Sequence, residues 1–94
     1  METIRITTLV DNSAGPGFLA EWGLSLLVEA KGLRVLLDCG AGLAAVYNAQ
    51  LLSLDLGSID YLVLSHGHYD HTGGLREVLR RVGREIAVVA HPEV

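Results

Sequence analysis

Three of the four histidines fall within six positions, in Ser65-His66-Gly67-His68-Tyr69-Asp70-His71, and Asp70 stands among them. Imidazole nitrogens and a carboxylate oxygen in one short segment form a donor set suited to a divalent metal, zinc first, with iron or manganese as alternatives. Gly67 lets the backbone bend, so the rings of His66 and His68 can converge on one centre. Asp70 and His71 are adjacent. In an extended or turned backbone their side chains diverge, which would let them serve a second centre. A divalent metal held here lowers the pKa of bound water towards about 7 and polarises the bond under attack. Asp70 is then the catalytic candidate, both as ligand and as the acceptor that orients the attacking water. The plain alternative is a set of polar loop residues with ordinary hydrogen bonds. It accounts for one histidine well and for four potential ligands in six residues poorly.

The segment follows Tyr61-Leu62-Val63-Leu64, a run apolar on both faces, as in a central strand covered from both sides. A loop at the carboxyl end of such a strand is where open α/β sheets present their ligands. Asp38 ends a neighbouring apolar run. It is the candidate to receive the second ring N–H of a ligating histidine, with a turn or helix-start aspartate as the alternative. His91 follows the apolar run 86–90, which reads as a further central strand. If that strand runs parallel to 61–64, His91 emerges on the same sheet edge and is a candidate for touching substrate or metal.

The run Ser65-His66-Gly67-His68-Tyr69-Asp70-His71-Thr72-Gly73-Gly74 resembles the His-x-His-x-Asp-His signature of the metallo-β-lactamase superfamily. Leu36-Leu37-Asp38-Cys39-Gly40 is similar to that superfamily's earlier strand-end aspartate motif, with Cys39 where threonine is common. The stretch 21–29, with Asp11-Asn12 and His91-Pro92, is most similar to the branch holding dihydropterin-ribofuranosylaminobenzene phosphate synthases and metal-dependent hydrolases. The resemblance implies an αββα sandwich with one or two metals between its sheets. His66 and His68 would bind the first metal, Asp70 and His71 the second, and Asp38 would hold the histidine loop. Further ligands of the family pattern lie beyond the residues present. The resemblance therefore implies residues 1–94 as the N-terminal half of a sandwich, completed by the remainder of the domain or by a second chain, a homodimer included.

The elements that must position these residues are legible from pattern. Residues 4–10 are β-branched and alternate at their start, and so predict a strand. The turn formers of 11–17 predict a loop. The apolar runs 24–30 and 33–38 flank Lys31-Gly32 and predict a β-hairpin, and 43–54 reads as a largely buried helix. Leu75, Val78, Leu79 and Val82 follow helical spacing, with Glu77 and Arg81 placed for an i,i+4 pair. The order predicts an α/β domain, a mixed sheet with two helices. Gly40-Ala41-Gly42-Leu43-Ala44-Ala45 also fits a dinucleotide fingerprint. The acid expected at the end of the next strand is missing, and the preceding strand belongs to a hairpin, so the glycines read as a tight turn beside the metal loop. The helix start there could still take an anionic group.

Composition narrows the rest. The chain has 94 residues, 50% hydrophobic and 19% charged, with a formal net charge of −4. That apolar content excludes a disordered tail and exceeds what a small self-sufficient fold needs, which suggests a missing partner surface. The acidic balance disfavours nucleic acid as a non-specific partner, and the expected partner is a small-molecule substrate. Arg76, Arg80, Arg81 and Arg84 read as one solvated helix face. The single Cys39 forms no internal disulfide and reads as a small buried hydrophobe. The first eight residues show no leader pattern, and Glu29, Lys31 and Arg34 interrupt the apolar stretch 24–37, so the expectation is a cytoplasmic protein without a membrane span. Together these features predict a metal-dependent hydrolase in which activated water attacks an ester, phosphoester, thioester or amide. The alternatives are a dihydropterin-type transferase, or a non-catalytic metal-binding half-domain that needs a partner chain.

Overall fold

The computed structural model describes residues 3–92. Five strands form one sheet in sequential order: β1 (Ile4–Val10), β2 (Ser25–Ala30), β3 (Leu33–Leu37), β4 (Tyr61–Leu64) and β5 (Ala87–Ala90). The pairs β1/β2 and β2/β3 are antiparallel, and β3/β4 and β4/β5 are parallel, so the sheet is mixed. The β2–β3 hairpin closes through Lys31 at φ 53° and Gly32 at φ 78°. Two consecutive left-handed residues are what a two-residue turn matched to strand twist requires.

Two crossovers join the parallel strands. Helix α1 (Ala44–Leu51) links β3 to β4, and the one-turn α2 (Tyr69–Thr72) and α3 (Leu75–Val82) link β4 to β5. Crossovers of one hand place their helices on one side of a sheet; α1 packs on β1, and α3 contacts α1. The helix side holds the core. Leu27, Leu36 and Leu62 lie side by side in register and are fully buried, with Ile59, Val78, Ala45 and Ala49 against them. At about 1.5–3 kcal/mol per fully buried aliphatic side chain, this layer is the main source of stability.

The other face is different. In register across all five strands run Ile6, Val28, Val35, Tyr61 and Ala87, and beside them Thr8, Leu26, Leu37, Val63 and Val89. No element among the described residues packs over these rows, and Ile6, Tyr61 and Val89 are 61%, 43% and 53% exposed. The apolar excess of the composition is this face.

Three expectations change. β5, expected to be central, stands at the sheet edge with all four residues exposed. Its composition suits burial, but nothing among the described residues pairs with its outer side. Arg81 reaches Gln50 rather than Glu77, which instead meets Arg80 at 3.4 Å. Arg84 is exposed but lies past the end of α3, and its guanidinium donates to the carbonyls of Gly57 and Ile59. No helix of the described residues is long and apolar enough to cross a membrane.

Candidate metal centre

The parallel strands β3 and β4 end side by side, and their carboxyl ends carry Asp38 and Ser65. Asp38 N–H still donates to the Val63 carbonyl at 2.8 Å. The backbone then turns sharply, with Asp38 in the left-handed region at φ 60°, a conformation costly for a residue with a Cβ and found preferentially at functional sites. The turn directs a fully buried carboxylate at the histidine loop. Asp38 Oδ1 accepts Ser65 N–H at 2.8 Å, and Oδ2 accepts Ser65 Oγ–H at 2.6 Å and lies 2.7 Å from His71 Nδ1. Ser65 Oγ in turn sits 2.8 Å from His66 Nδ1.

One proton assignment satisfies the contacts of both Nδ1 atoms. His66 Nδ1–H donates to Ser65 Oγ, whose own hydrogen goes to Asp38 Oδ2, and His71 Nδ1–H donates to the same carboxylate. With Nδ1 as the donor, Nε2 is the nitrogen left to offer a lone pair, the form in which histidine binds metals. A buried carboxylate thus sets two tautomers, one directly and one through a hydroxyl.

The donors themselves are close together. His66, His68 and Asp70 each offer a ligand atom within 4.8 Å of the others. The ring centroids of His66 lie 4.9 Å from His68 and 4.1 Å from His71, and His71 Nε2 is 3.4 Å from Asp70 Oδ2. Asp70 and His71 therefore do not diverge. Helix α2 begins at Tyr69 and its tight turn brings their side chains to one place, a winding that the short motif hides. Asp38, His66 and His71 form a second close group, but the Asp38 oxygens already accept three hydrogens, so its role there is orientation. His91 follows β5, which runs parallel to β4, and it emerges at the same sheet edge but joins neither group. The site chemistry fits a divalent metal: three imidazoles and a carboxylate, half-buried except for the exposed His68.

Two contributors are not marked by the sequence. Ser65 is an ordinary strand-end serine until its hydroxyl is placed between Asp38 and His66. Glu21 lies 45 positions before His66 in the chain, yet its Oε1 accepts Ala41 N–H and Gly42 N–H at 2.8 and 3.1 Å. The glycine-rich turn that mimics a dinucleotide fingerprint thus has its anion acceptor site filled from within the chain. Cys39 lies beneath the same turn, fully buried. Burial, and then the neighbouring Asp38 charge, push its thiol up to about 12. At neutral pH it is protonated, and so a poor ligand or nucleophile.

A mixed α/β sheet with a cluster of metal donors at the carboxyl ends of its parallel strands defines the class. A family model of the metallo-β-lactamase superfamily matches residues 23–93, and the chain belongs to that superfamily. It is 38% identical, over all of its length, to the 7,8-dihydropterin-6-methyl-4-(β-D-ribofuranosyl)-aminobenzene-5′-phosphate synthase of Methanocaldococcus jannaschii, of which it covers 34%. Among solved structures it is similar to Tm1679, a metal-dependent hydrolase of the β-lactamase superfamily, at 41% identity and a TM-score of 0.68, covering 78% of this chain and 26% of that one. The metallo-β-lactamase fold protein YhfI of Bacillus subtilis superposes over 94% of this chain and 38% of its own, with a TM-score of 0.70 and 20% identity, a likeness of fold. The chain spans about a third of the length of the synthase.

Proposed function

We propose that this chain carries the metal-binding part of a metal-dependent hydrolase, one that attacks an ester, phosphoester, thioester or amide of a small molecule with activated water. The observation that carries the reading is the convergence of His66, His68 and Asp70 beside His71, with the tautomers of His66 and His71 set by Asp38. His66, His68, Asp70 and His71 would hold the metal, zinc or else iron or manganese. A divalent ion there supplies a water acidified towards a pKa of about 7 and a polarised bond. The remaining work falls to side chains. Asp70, with two oxygens, can bind with one and accept a proton from the attacking water with the other. Asp38 and Ser65 hold Nδ1 of both rings as the donor, leaving Nε2 as the nitrogen aimed at the site, and Asp38 stabilises any positive charge His71 gains.

Four protein donors fill one tetrahedral site and fall short of two. The remainder of the fold, or a second chain, would complete a dinuclear centre against the open sheet face, and the chain by itself would turn over little. His91, on the same edge, is the candidate for touching substrate. A reducing, cytoplasmic setting suits a chain whose single thiol is buried.

The likeness to the synthase over the full chain favours a second reading, a dihydropterin-type transferase in which a metal held by the same donors would offset charge on a leaving phosphate or pyrophosphate. The test is metal titration by isothermal calorimetry with elemental analysis, followed, with the fold completed by its remainder or a second chain, by turnover of nitrophenyl esters and phosphodiesters against a pyrophosphorylated dihydropterin with an arylamine acceptor. Hydrolysis of the former supports the hydrolase, and amine-dependent release of pyrophosphate supports the transferase. His66→Ala and His68→Ala should each abolish tight binding of the first metal while Cys39→Ser leaves it; equal effects from all three would overturn the site.

A further inference from the structure

Residues 21–24 cross the site without one residue that the sequence marks as chemical, yet they fix where the backbone of Asp70 lies. Glu21 Oε1 holds Ala41 N–H and Gly42 N–H. Three residues on, Leu24 N–H donates to the Asp70 carbonyl at 3.2 Å, and the Leu24 carbonyl accepts Gly40 N–H at 2.9 Å. The 38–42 turn is stitched to the histidine loop as well, by Cys39 N–H to the His71 carbonyl at 2.7 Å and Gly74 N–H to the Gly40 carbonyl at 3.0 Å. Three segments therefore meet at one junction, and Glu21 makes its charged contact.

The fit leaves no slack. A Cβ on Gly23 would lie 2.5 Å from the Asp70 carbonyl oxygen, and one on Gly40 would lie 2.6 Å from Glu21 Oε1. A carboxylate accepting two backbone N–H groups is roughly twice as strong an anchor as a neutral acceptor. It sits only three residues from the bond that it would steer. The same contact in a simple helix start would stabilise α1 and nothing else. Here its other end is tied to the metal loop.

We propose that Glu21 is a positioning residue for the candidate metal centre: bound to Ala41 and Gly42, it sets the 21–24 segment, and through Leu24 N–H it sets the backbone of Asp70 and with it the Asp70 carboxylate and the His71 ring. The geometry stands apart from the reading of the site as a metal centre, while the consequence for binding rests on that reading.

The two are tested separately on the full chain. Amide hydrogen exchange without metal compares the parent with Glu21→Ala and Glu21→Gln, and with Ile59→Ala as a variant destabilised in the core away from the junction. Glu21→Ala should lower protection at Leu24, Cys39 and Gly74 about tenfold beyond any change in β2 and β3, Glu21→Gln should restore most of it, and Ile59→Ala should change all protected amides together. Titration with Co²⁺, followed by its visible absorption, should show Glu21→Ala binding about tenfold more weakly, with an altered band shape, the size of effect typical of residues that orient ligands. Ile59→Ala should keep the parent spectrum. Unchanged protection at Leu24 overturns the proposal whatever the metal does. Lost protection with unchanged cobalt affinity and spectrum overturns the link to the ligands. A parent chain that binds no cobalt overturns the metal-centre reading instead, and the exchange data still decide whether Glu21 holds Asp70. If Glu21→Ala does not fold, Glu21→Asp, one methylene too short to reach both N–H groups, takes its place.

Discussion

At the scale of single residues, Asp38 does most to turn a histidine-rich loop into a site. Its carboxylate is buried, and its oxygens meet only donors: Ser65 N–H, Ser65 Oγ–H and His71 Nδ1–H. Replacing Asp38 by Asn keeps the volume and tolerates the left-handed backbone, but places an NH₂ against two donors if Oδ1 keeps its bond to Ser65 N–H. The donors must then reverse or separate, and His71 loses the partner that fixes its tautomer. We expect Asp38→Asn to weaken divalent-metal binding by 10- to 100-fold with the fold retained, read by competition titration alongside circular dichroism. An unchanged affinity would show that Asp38 does not orient the ligands. Asp38 was visible in the sequence as a strand-end acid beside the histidine motif. Ser65 and Glu21 were not, because nothing about an isolated serine or glutamate says which distant atoms it will meet.

At the scale of elements, the site depends on two loops that approach closer than side chains permit. Gly74 has an ordinary backbone conformation for any residue, φ −83° and ψ 0°, so its requirement for glycine is purely steric. A Cβ there would lie 2.1 Å from the Cys39 carbonyl oxygen and 2.8 Å from that of Gly42. Both are backbone atoms that cannot swing aside. Gly74→Ala should therefore cost about 1–3 kcal/mol and displace the histidine loop, whereas Gly15→Ala, with open space around it, should change stability by no more than about 0.5–1 kcal/mol in either direction. Chemical denaturation of the two variants checks this, and equal losses would remove the close-approach explanation. The hairpin turn, the strand before the histidines and α3 were legible as sequence pattern, because local propensity and apolar period agree there. Helix α2 was not: four residues carry too little period to separate a helical turn from a loop, and that turn is what brings Asp70 and His71 together.

At the scale of the whole molecule, one sheet carries helices on one side and an apolar, open face on the other. The open face spans all five strands, from Ile6 to Ala87 and from Thr8 to Val89 in register. A contiguous exposed apolar face of this kind marks an interaction surface or an aggregation liability, and β5 adds an unpaired edge among the described residues. The chain by itself should self-associate or bind a hydrophobic dye such as ANS. A double variant Ile6→Lys, Val89→Lys should reduce both without altering metal stoichiometry. Light scattering and dye fluorescence test the point; a monodisperse monomer that binds no dye would mean the face is satisfied in some other way.

The amino-acid sequence by itself determined the donors and the alternation of strands and helices. Metal-ligating residue types cannot hide, and apolar periodicity is a local property written into consecutive positions. It also carried the surplus of apolar residues, though not their place. Only the tertiary structure decided which atoms face one another: that Asp38 and Ser65 govern two histidine tautomers, that Asp70 and His71 converge, that Glu21 closes the glycine turn, and that the surplus forms one open face. The physical reason is that hydrogen bonds across tens of residues, strand register and crossover handedness arise from the packing of the whole chain. A motif states which groups are available, and the meeting of β3, β4 and the 21–24 segment states what each group can touch.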